Sequence, residues 1–243
     1  MTTVGQRSEP ERDAVGRQLL IEIMGPAAVG KTTLIRALCS HDARIRSGLE
    51  LSKAEYVRPL LRKLGVFFPV WALHHRRDRW LDRREMRSIA RLETWSQALG
   101  RPTTTYGSVA IFDHGPLYKL AKLREFGPAL TDSEPFDRWW RGSLVRWLEA
   151  LDIVVMLEAP DEVLLQRVDQ RGHWFLGGNH SQEEKVEFLT RYRRAFAEIL
   201  EGYTPIVLRF RTDVMPVGTI ATEVLSVIGS MRSMGDLRER SSG

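Results

Sequence analysis

The sequence predicts an α/β domain in which helices cover both faces of a parallel β-sheet. Short apolar runs recur at residues 19–24, 108–112, 152–157 and 205–210, and helical stretches separate them. Runs that are apolar on both faces are typical of buried parallel strands. Their alternation with helices indicates a doubly wound sheet. A fifth strand is predicted, from a weaker pattern, near residues 49–52.

Length and composition place the chain among ordinary globular domains. Its 243 residues are 43% hydrophobic and 28% charged, which excludes disorder along the whole chain. We expect a flexible arm at residues 1–17, one domain at residues 18–230 and a flexible tail at residues 231–243. The absence of an apolar signal core and of a membrane-spanning run favours a cytoplasmic protein without a membrane partner.

Cysteine and charge counts limit the chemistry further. The single cysteine, Cys39, excludes an internal disulfide framework and a cysteine-based zinc site. Lysine and arginine together number 36 against 31 acidic residues, and only six of the 36 are lysines. This arginine excess permits an anionic partner, because the guanidinium group binds carboxylates and phosphates through a planar fork.

Two sequence patterns predict where helices begin. Thr131 with Glu134, and Ser181 with Glu184, have the spacing of the capping box, in which side chains satisfy free amide groups at a helix start. After the first box, aromatic and leucine side chains recur at helical spacing, which predicts a face packed on the sheet.

A phosphate-binding loop follows the first predicted strand. Residues 25–33 read GPAAVGKTT and match G-x-x-x-x-G-K-[ST], between a strand and an apolar helix as the motif requires. The glycines let backbone N–H groups turn towards phosphate oxygens, the lysine reaches the β- and γ-phosphates, and the first threonine can ligate Mg²⁺. The predicted nucleotide-binding residues here are Gly25, Ala27, Ala28, Val29, Gly30, Lys31, Thr32 and Thr33.

An acidic residue ends the next predicted strand. Asp113 follows residues 108–112, and carboxyl ends of strands near the switch point of such a sheet face the ligand. Asp113 is therefore predicted beside the phosphate loop, where it could hold Mg²⁺ together with Thr32 or accept the proton of an attacking hydroxyl. No partner is apparent for His114, which we expect to be structural or exposed.

Arginines after the fourth predicted strand suit a lid over the phosphates. Arg167 and Arg171 are four residues apart and share a helical face, and a glycine-rich segment follows at residues 171–180. Such arginines neutralise charge that builds up during phosphoryl transfer. We predict a lid at about residues 167–194, and the arginines at positions 191, 193 and 194 favour it.

The order of these segments resembles the P-loop kinases, and most closely the thymidylate kinase and deoxynucleoside kinase group. The resemblance rests on GPAAVGKTT, IFDHGP, DIVVMLEAPDEVLLQRVDQRG and PIVLRFRTDVMP. It implies the P-loop NTPase fold with five parallel strands and a helical lid, ATP as donor, and Mg²⁺. It also implies that Arg167 lies against the adenine, with residues 212–216, including Asp213, on the other side.

The chain departs from that group at the acceptor side. Thymidylate kinases carry Asp-Arg-Tyr, and deoxynucleoside kinases Glu-Arg-Ser, where this chain has Asp113, His114 and Gly115. The arginine that would contact the acceptor is absent, so nucleotide specificity does not transfer.

The acceptor is expected to bind within about residues 44–102. Glu50 and Glu55 are candidate acceptor-side carboxylates, because deoxynucleoside kinases place a general base after the second strand. Arg87 and Arg91 lie on one helical stripe that could grip an anionic acceptor. A solvated basic face explains that stripe equally well.

The leading hypothesis is an ATP- and Mg²⁺-dependent kinase that transfers the γ-phosphoryl group to a hydroxyl or phosphate of a nucleoside, a nucleotide or a nucleoside-like or antibiotic metabolite. Lys31, Asp113, Arg167 and Arg171 are the predicted catalytic residues. Two alternatives stay open: a polynucleotide-end kinase or nucleic-acid-binding ATPase, and an NTP-driven switch without an acceptor. Nucleic acid is the less favoured partner, and a homodimer stays open.

Overall fold

The computed structural model describes residues 18–49, 53–99, 108–170, 181–201 and 206–241, and it contains the predicted α/β fold. Its described strands form one five-stranded parallel sheet in the order β2-β3-β1-β4-β5. The strands are β1 (Leu19–Met24), β2 (Ile45–Ser47), β3 (Val109–Asp113), β4 (Ile153–Glu158) and β5 (Ile206–Arg211).

Four of the five predicted strands are confirmed to within one residue, and the fifth was misplaced. β2 lies at Ile45–Ser47, not near residues 49–52, of which only residue 49 is described. It is a three-residue strand at the sheet edge, and only Ile45 is buried. A strand of three residues contains no apolar run, so the sequence pattern could not predict its position.

Eight helices surround the sheet in the described part of the chain. They are α1 (Lys31–His41), α2 (Lys53–Val70), α3 (Arg83–Ala98), α4 (Pro116–Phe126), α5 (Glu134–Ala150), α6 (Asp161–Asp169), α7 (Gln182–Leu200) and α8 (Val217–Ser241). A π-helical turn (Trp71–His75) extends α2, and a 3₁₀ turn (Ala129–Asp132) precedes α5.

The two faces of the sheet pack against different helices because side chains alternate along each strand. Ile21 and Ile23 of β1 belong to the core shared with α1 and α8, whereas Leu20 and Met24 belong to the core shared with α3, α4, α5 and α7. The predicted packing face of α5 is confirmed, since Phe136 and Trp147 are fully buried in this second core.

One of the two predicted capping boxes is confirmed. The hydroxyl of Ser181 accepts the N–H of Glu184 at 3.2 Å, and the carboxylate of Glu184 accepts the N–H of Ser181 at 2.8 Å. The box at Thr131 is wrong. Thr131 lies in the 3₁₀ turn, where its hydroxyl donates to the carbonyl of Pro128 at 2.8 Å, and α5 begins after Ser133.

A long helix, α8, forms the C-terminal end of the described residues. α8 runs from Val217 to Ser241 and includes most of residues 231–243, whose flexibility stays a prediction. No helix among the described residues is both long and apolar enough to cross a bilayer.

Candidate functional site

The phosphate loop connects β1 to α1 and has the backbone that its motif requires. Gly25 and Gly30 have φ of 140° and 104°, in the region that glycine tolerates best. A Cβ on Gly25 would also lie 2.4 Å from the carbonyl oxygen of Leu157. The loop ends at the N-terminus of α1, where free N–H groups and the helix dipole favour an anion.

The side chain of Lys31 is buried within this loop. Its Nζ donates to the carbonyl oxygens of Gly25 and Pro26, both at 2.8 Å, and the residue is 6% exposed. The ammonium charge is thus held against the loop backbone that the motif assigns to phosphate.

Asp113 lies beside the loop, as the strand-end argument predicted. In the parallel pairing of β1 with β3, Ile23 is opposite Asp113. The hydroxyl of Thr32 donates to Oδ2 of Asp113 at 2.9 Å. The two residues predicted to hold Mg²⁺ are therefore in direct contact.

The hydroxyl of Thr32 and the carboxylate of Asp113 are oxygen donors of the kind that Mg²⁺ prefers. Within the described residues, no group of three or more His, Cys, Asp and Glu side chains could hold a metal ion. Mg²⁺, however, is usually held by one or two protein oxygens together with substrate phosphates and water. One carboxylate and one hydroxyl next to a phosphate loop match that pattern.

His114 has a partner that the sequence did not reveal. Its Nδ1 lies 3.1 Å from Oδ1 of Asp113, and its ring meets Tyr118 edge-on with centroids 4.4 Å apart. Burial by itself would raise the pKa of Asp113, but the hydrogen bond and charge of His114, the bond from Thr32 and the charge of Lys31 outweigh it. They lower the pKa to about 2, so Asp113 is a carboxylate at neutral pH.

A cavity of about 220 Å³ adjoins the phosphate loop on the side of α6. Val29 and Gly30 line one wall, and Arg167, Thr212 and Met215 line another. Two hydrogen bonds fix Arg167, from Nη1 to Oγ1 of Thr212 at 3.0 Å and from Nη2 to the carbonyl of Thr212 at 2.9 Å. The predicted neighbours Arg167 and residues 212–216 are thus brought together.

Asp213 is placed differently from Thr212. Its carboxylate pairs with Arg211, with Nη2 to Oδ2 at 2.6 Å, and it does not line the cavity. Thr212 and Met215 are the residues of this loop that line the cavity.

The arginines of α7 do not support the predicted lid. Arg191 and Arg194 contact the carboxylate of Glu125 at 2.8 and 3.0 Å, and Arg193 contacts Asp161 at 2.5 Å. These pairs join α7 to α4 and α6. Arg171 lies outside the described residues, so the role of the predicted lid rests on Arg167 and Arg171 alone.

The acceptor-side candidates are scattered. Glu50 lies outside the described residues, and Glu55 is half-buried in α2, where its carbonyl accepts from Thr94 at 3.3 Å. Arg87 and Arg91 are exposed on α3. Arg91 is close enough to Lys119 of α4 for its charge to contribute to lowering the pKa of that lysine.

Sequence reasoning missed Glu22 and Lys119. Glu22 is fully buried in the middle of β1, within a run that was interpreted as simply apolar, and Lys119 is 4% exposed in α4. The available signal was a lone carboxylate in a buried strand, since such a group requires hydrogen-bonding partners.

No protein-family model matches the sequence, and no curated protein does. Solved structures match in shape. Thymidylate kinase from Candida albicans aligns with a TM-score of 0.52 at 15% identity over 89% of this chain and 93% of that one. Deoxyadenosine kinase from M. mycoides with bound dATP gives a TM-score of 0.50 at 14% identity, over 86% of this chain and 99% of that one. The chain thus has the P-loop NTPase fold and resembles this group, as predicted.

Proposed function

We propose that the protein is an ATP-dependent kinase that transfers the γ-phosphoryl group to a nucleoside, a nucleotide or a nucleoside-like metabolite. The observation that carries the proposal is the contact between Thr32 and Asp113 at 2.9 Å, at the start of the helix that follows the phosphate loop. The fold shared with a thymidylate kinase and a deoxyadenosine kinase supports the class of acceptor.

Different residues of the loop bind different parts of the triphosphate. Lys31 exchanges its bonds to Gly25 and Pro26 for the β- and γ-phosphate oxygens, and the first N–H groups of α1 receive the remaining phosphate charge. Thr32 and Asp113 would hold Mg²⁺, which when bound neutralises charge on the phosphates.

The electrostatics of Asp113 favour one of its two predicted roles. A general base works best when its pKa lies near the working pH. With a pKa lowered to about 2, Asp113 is a weak base and a permanent negative charge. Holding the metal suits it better than taking the proton of the acceptor.

The cavity beside the loop suits the base of the donor nucleotide. Arg167 lines the cavity and is fixed by both bonds to Thr212, and a planar guanidinium can stack on an aromatic ring. Arg171 would then add charge from the following segment. We propose that Arg87 or Arg91 contacts the acceptor, with Glu50 or Glu55 as the acceptor-side carboxylate.

The test is a product analysis with purified protein, ATP, Mg²⁺ and a panel of nucleosides and nucleotides. We expect a phosphorylated acceptor by mass spectrometry, and loss of at least about 100-fold in turnover for Lys31→Ala and Asp113→Asn. Asp137→Asn is a matched control, because its side chain forms ion pairs with Arg124 and Arg141 away from the loop. Near wild-type turnover in Lys31→Ala would refute the assignment.

The same experiment separates the alternatives. Hydrolysis of ATP with no phosphorylated acceptor would identify a switch. Phosphorylation of an oligonucleotide alone, with binding that falls steeply with salt, would identify a polynucleotide-end kinase.

A further inference from the structure

A buried carboxylate lies directly beneath the turn that follows Asp113. Glu22 points from the middle of β1 to the start of α4, where its Oε2 accepts the N–H of Leu117 at 2.8 Å and its Oε1 accepts the N–H of Tyr118 at 2.9 Å. The first N–H groups of a helix have no partner within the helix. Gly115, the residue before α4, has no side chain to cap them, so a carboxylate from the strand does this instead.

A buried lysine fixes the other side of the same turn. Nζ of Lys119 donates to the carbonyl oxygen of His114, and the ammonium lies 5.0 Å from the centroid of the Trp95 ring. His114 has φ of 54°, a left-handed conformation that a non-glycine residue adopts at a cost and that its surroundings must impose.

The turn has no room to relax around these two side chains. A Cβ on Gly115 would lie 2.6 Å from Cδ of Glu22 and 2.6 Å from Cβ of Phe112. The peptide of Gly115 is therefore packed directly on the carboxylate. Any displacement of Glu22 must move the turn, and with it the residues on either side.

The charges of the pair oppose the cost of burial. Burial raises the pKa of Glu22 to about 7, although the hydrogen bonds from the two N–H groups and the charge of Lys119 act to lower it. Burial also lowers the pKa of Lys119 to about 8, with Arg91 adding to the shift and Glu22 and Asp113 opposing it. Glu22 and Lys119 satisfy backbone groups of the turn, which apolar residues at these two positions could not do.

We propose that Glu22 and Lys119 are positioning residues that hold the turn at His114 and Gly115, and thereby set Asp113 against Thr32. Neither contacts the nucleotide. Their effect reaches Asp113 in two ways. His114 and Asp113 are consecutive in the chain, and the Asp113 carboxylate also contacts the His114 ring. This inference rests on the proposed function, which names ATP and Mg²⁺ as the ligands of the site.

The test compares nucleotide affinity with and without the metal. Dissociation constants for a fluorescent ATP analogue are measured in EDTA and in Mg²⁺ for the wild type, Glu22→Gln and Lys119→Met. Glu93→Gln and Lys63→Met are matched controls, since Glu93 is also buried, and its contacts are with Trp139, Arg62 and Lys63. Thermal unfolding of each variant is recorded alongside.

We expect both Glu22→Gln and Lys119→Met to reduce the enhancement of affinity by Mg²⁺ about 10-fold or more, as a misplacement near 1 Å can do, with metal-free affinity within about twofold of the wild type. The controls should keep the enhancement even where they unfold at lower temperature. If Glu22→Gln does not fold, Lys119→Met decides.

An unchanged enhancement in folded variants would overturn the proposal, as would an equal loss of affinity in EDTA. A wild-type protein that binds no ATP would overturn the proposed function instead.

Discussion

Replacing Gly115 with alanine tests the packing beneath the turn. Its φ of −72° and ψ of −162° are open to any residue, so backbone strain contributes nothing. Space decides the outcome: the new Cβ would lie 2.6 Å from two carbon atoms that prefer about 3.5–4.0 Å, and both belong to buried residues. Glu22 is held by two N–H groups, and Phe112 lies between Trp95 and Trp147.

Overpacking of a buried site costs about 1–3 kcal/mol. For a chain of this size, each kcal/mol shifts the melting temperature by about 2–4 °C. We therefore expect Gly115→Ala to lower it by about 2–12 °C. The matched control is Gly142→Ala in the exposed middle of α5, where a Cβ meets no atom within 4 Å. That change should raise stability by about 0.5–1 kcal/mol, because alanine favours the helix.

Thermal unfolding followed by circular dichroism measures both variants against the wild type. The two glycine-to-alanine changes should shift the melting temperature in opposite directions. A Gly115→Ala protein as stable as Gly142→Ala would refute the account of the turn, because it would mean that Glu22 and Phe112 yield without cost.

Two further predictions concern the site. Arg167→Met should weaken ATP binding about 10-fold in titration calorimetry, because it removes the guanidinium that the bonds to Thr212 hold beside the cavity proposed for the base. Tripolyphosphate binding should be little affected, and an equal loss for both ligands would contradict a role at the base. The low pKa of Asp113 means that its contribution to stability is present above its ordinary pKa and lost as the pH falls towards about 2. Urea denaturation of Asp113→Asn should therefore show a flatter loss of unfolding free energy between about pH 4 and pH 2, and a loss as steep as that of the wild type would count against the shift.

Central strands and the phosphate loop were predictable because their constraints are local. A strand buried on both faces must be apolar along its whole length, as β1 and β4 nearly are. The loop needs glycine at positive φ and a lysine at a fixed spacing, and both can be recognised in a sequence. The position of Asp113 beside the loop followed from the loop motif together with the rule on strand ends, and the structure adds its contact with Thr32.

The sequence was least informative about side chains whose partners are distant along the chain. Glu22 was missed because its partners lie 95 and 96 residues along the chain. The arginines of α7 were assigned to a lid because Glu125, which lies 66 residues from Arg191 and 69 from Arg194, could not be identified as their partner. At Thr131, a different local hydrogen bond forms. The hydroxyl donates to the carbonyl of Pro128 within a 3₁₀ turn, so it is not available to cap α5.

The two outermost strands have a consequence for self-association. A strand at a sheet edge offers unpaired backbone groups to another chain, and charged side chains discourage such pairing. β5 carries Arg209 and Arg211, which pair with Glu158 and Asp213 and are still more than half exposed. β2, at the opposite edge, has only three residues. Both edges therefore resist the addition of a sixth strand from a neighbouring molecule, which protects the protein against aggregation by edge-to-edge pairing.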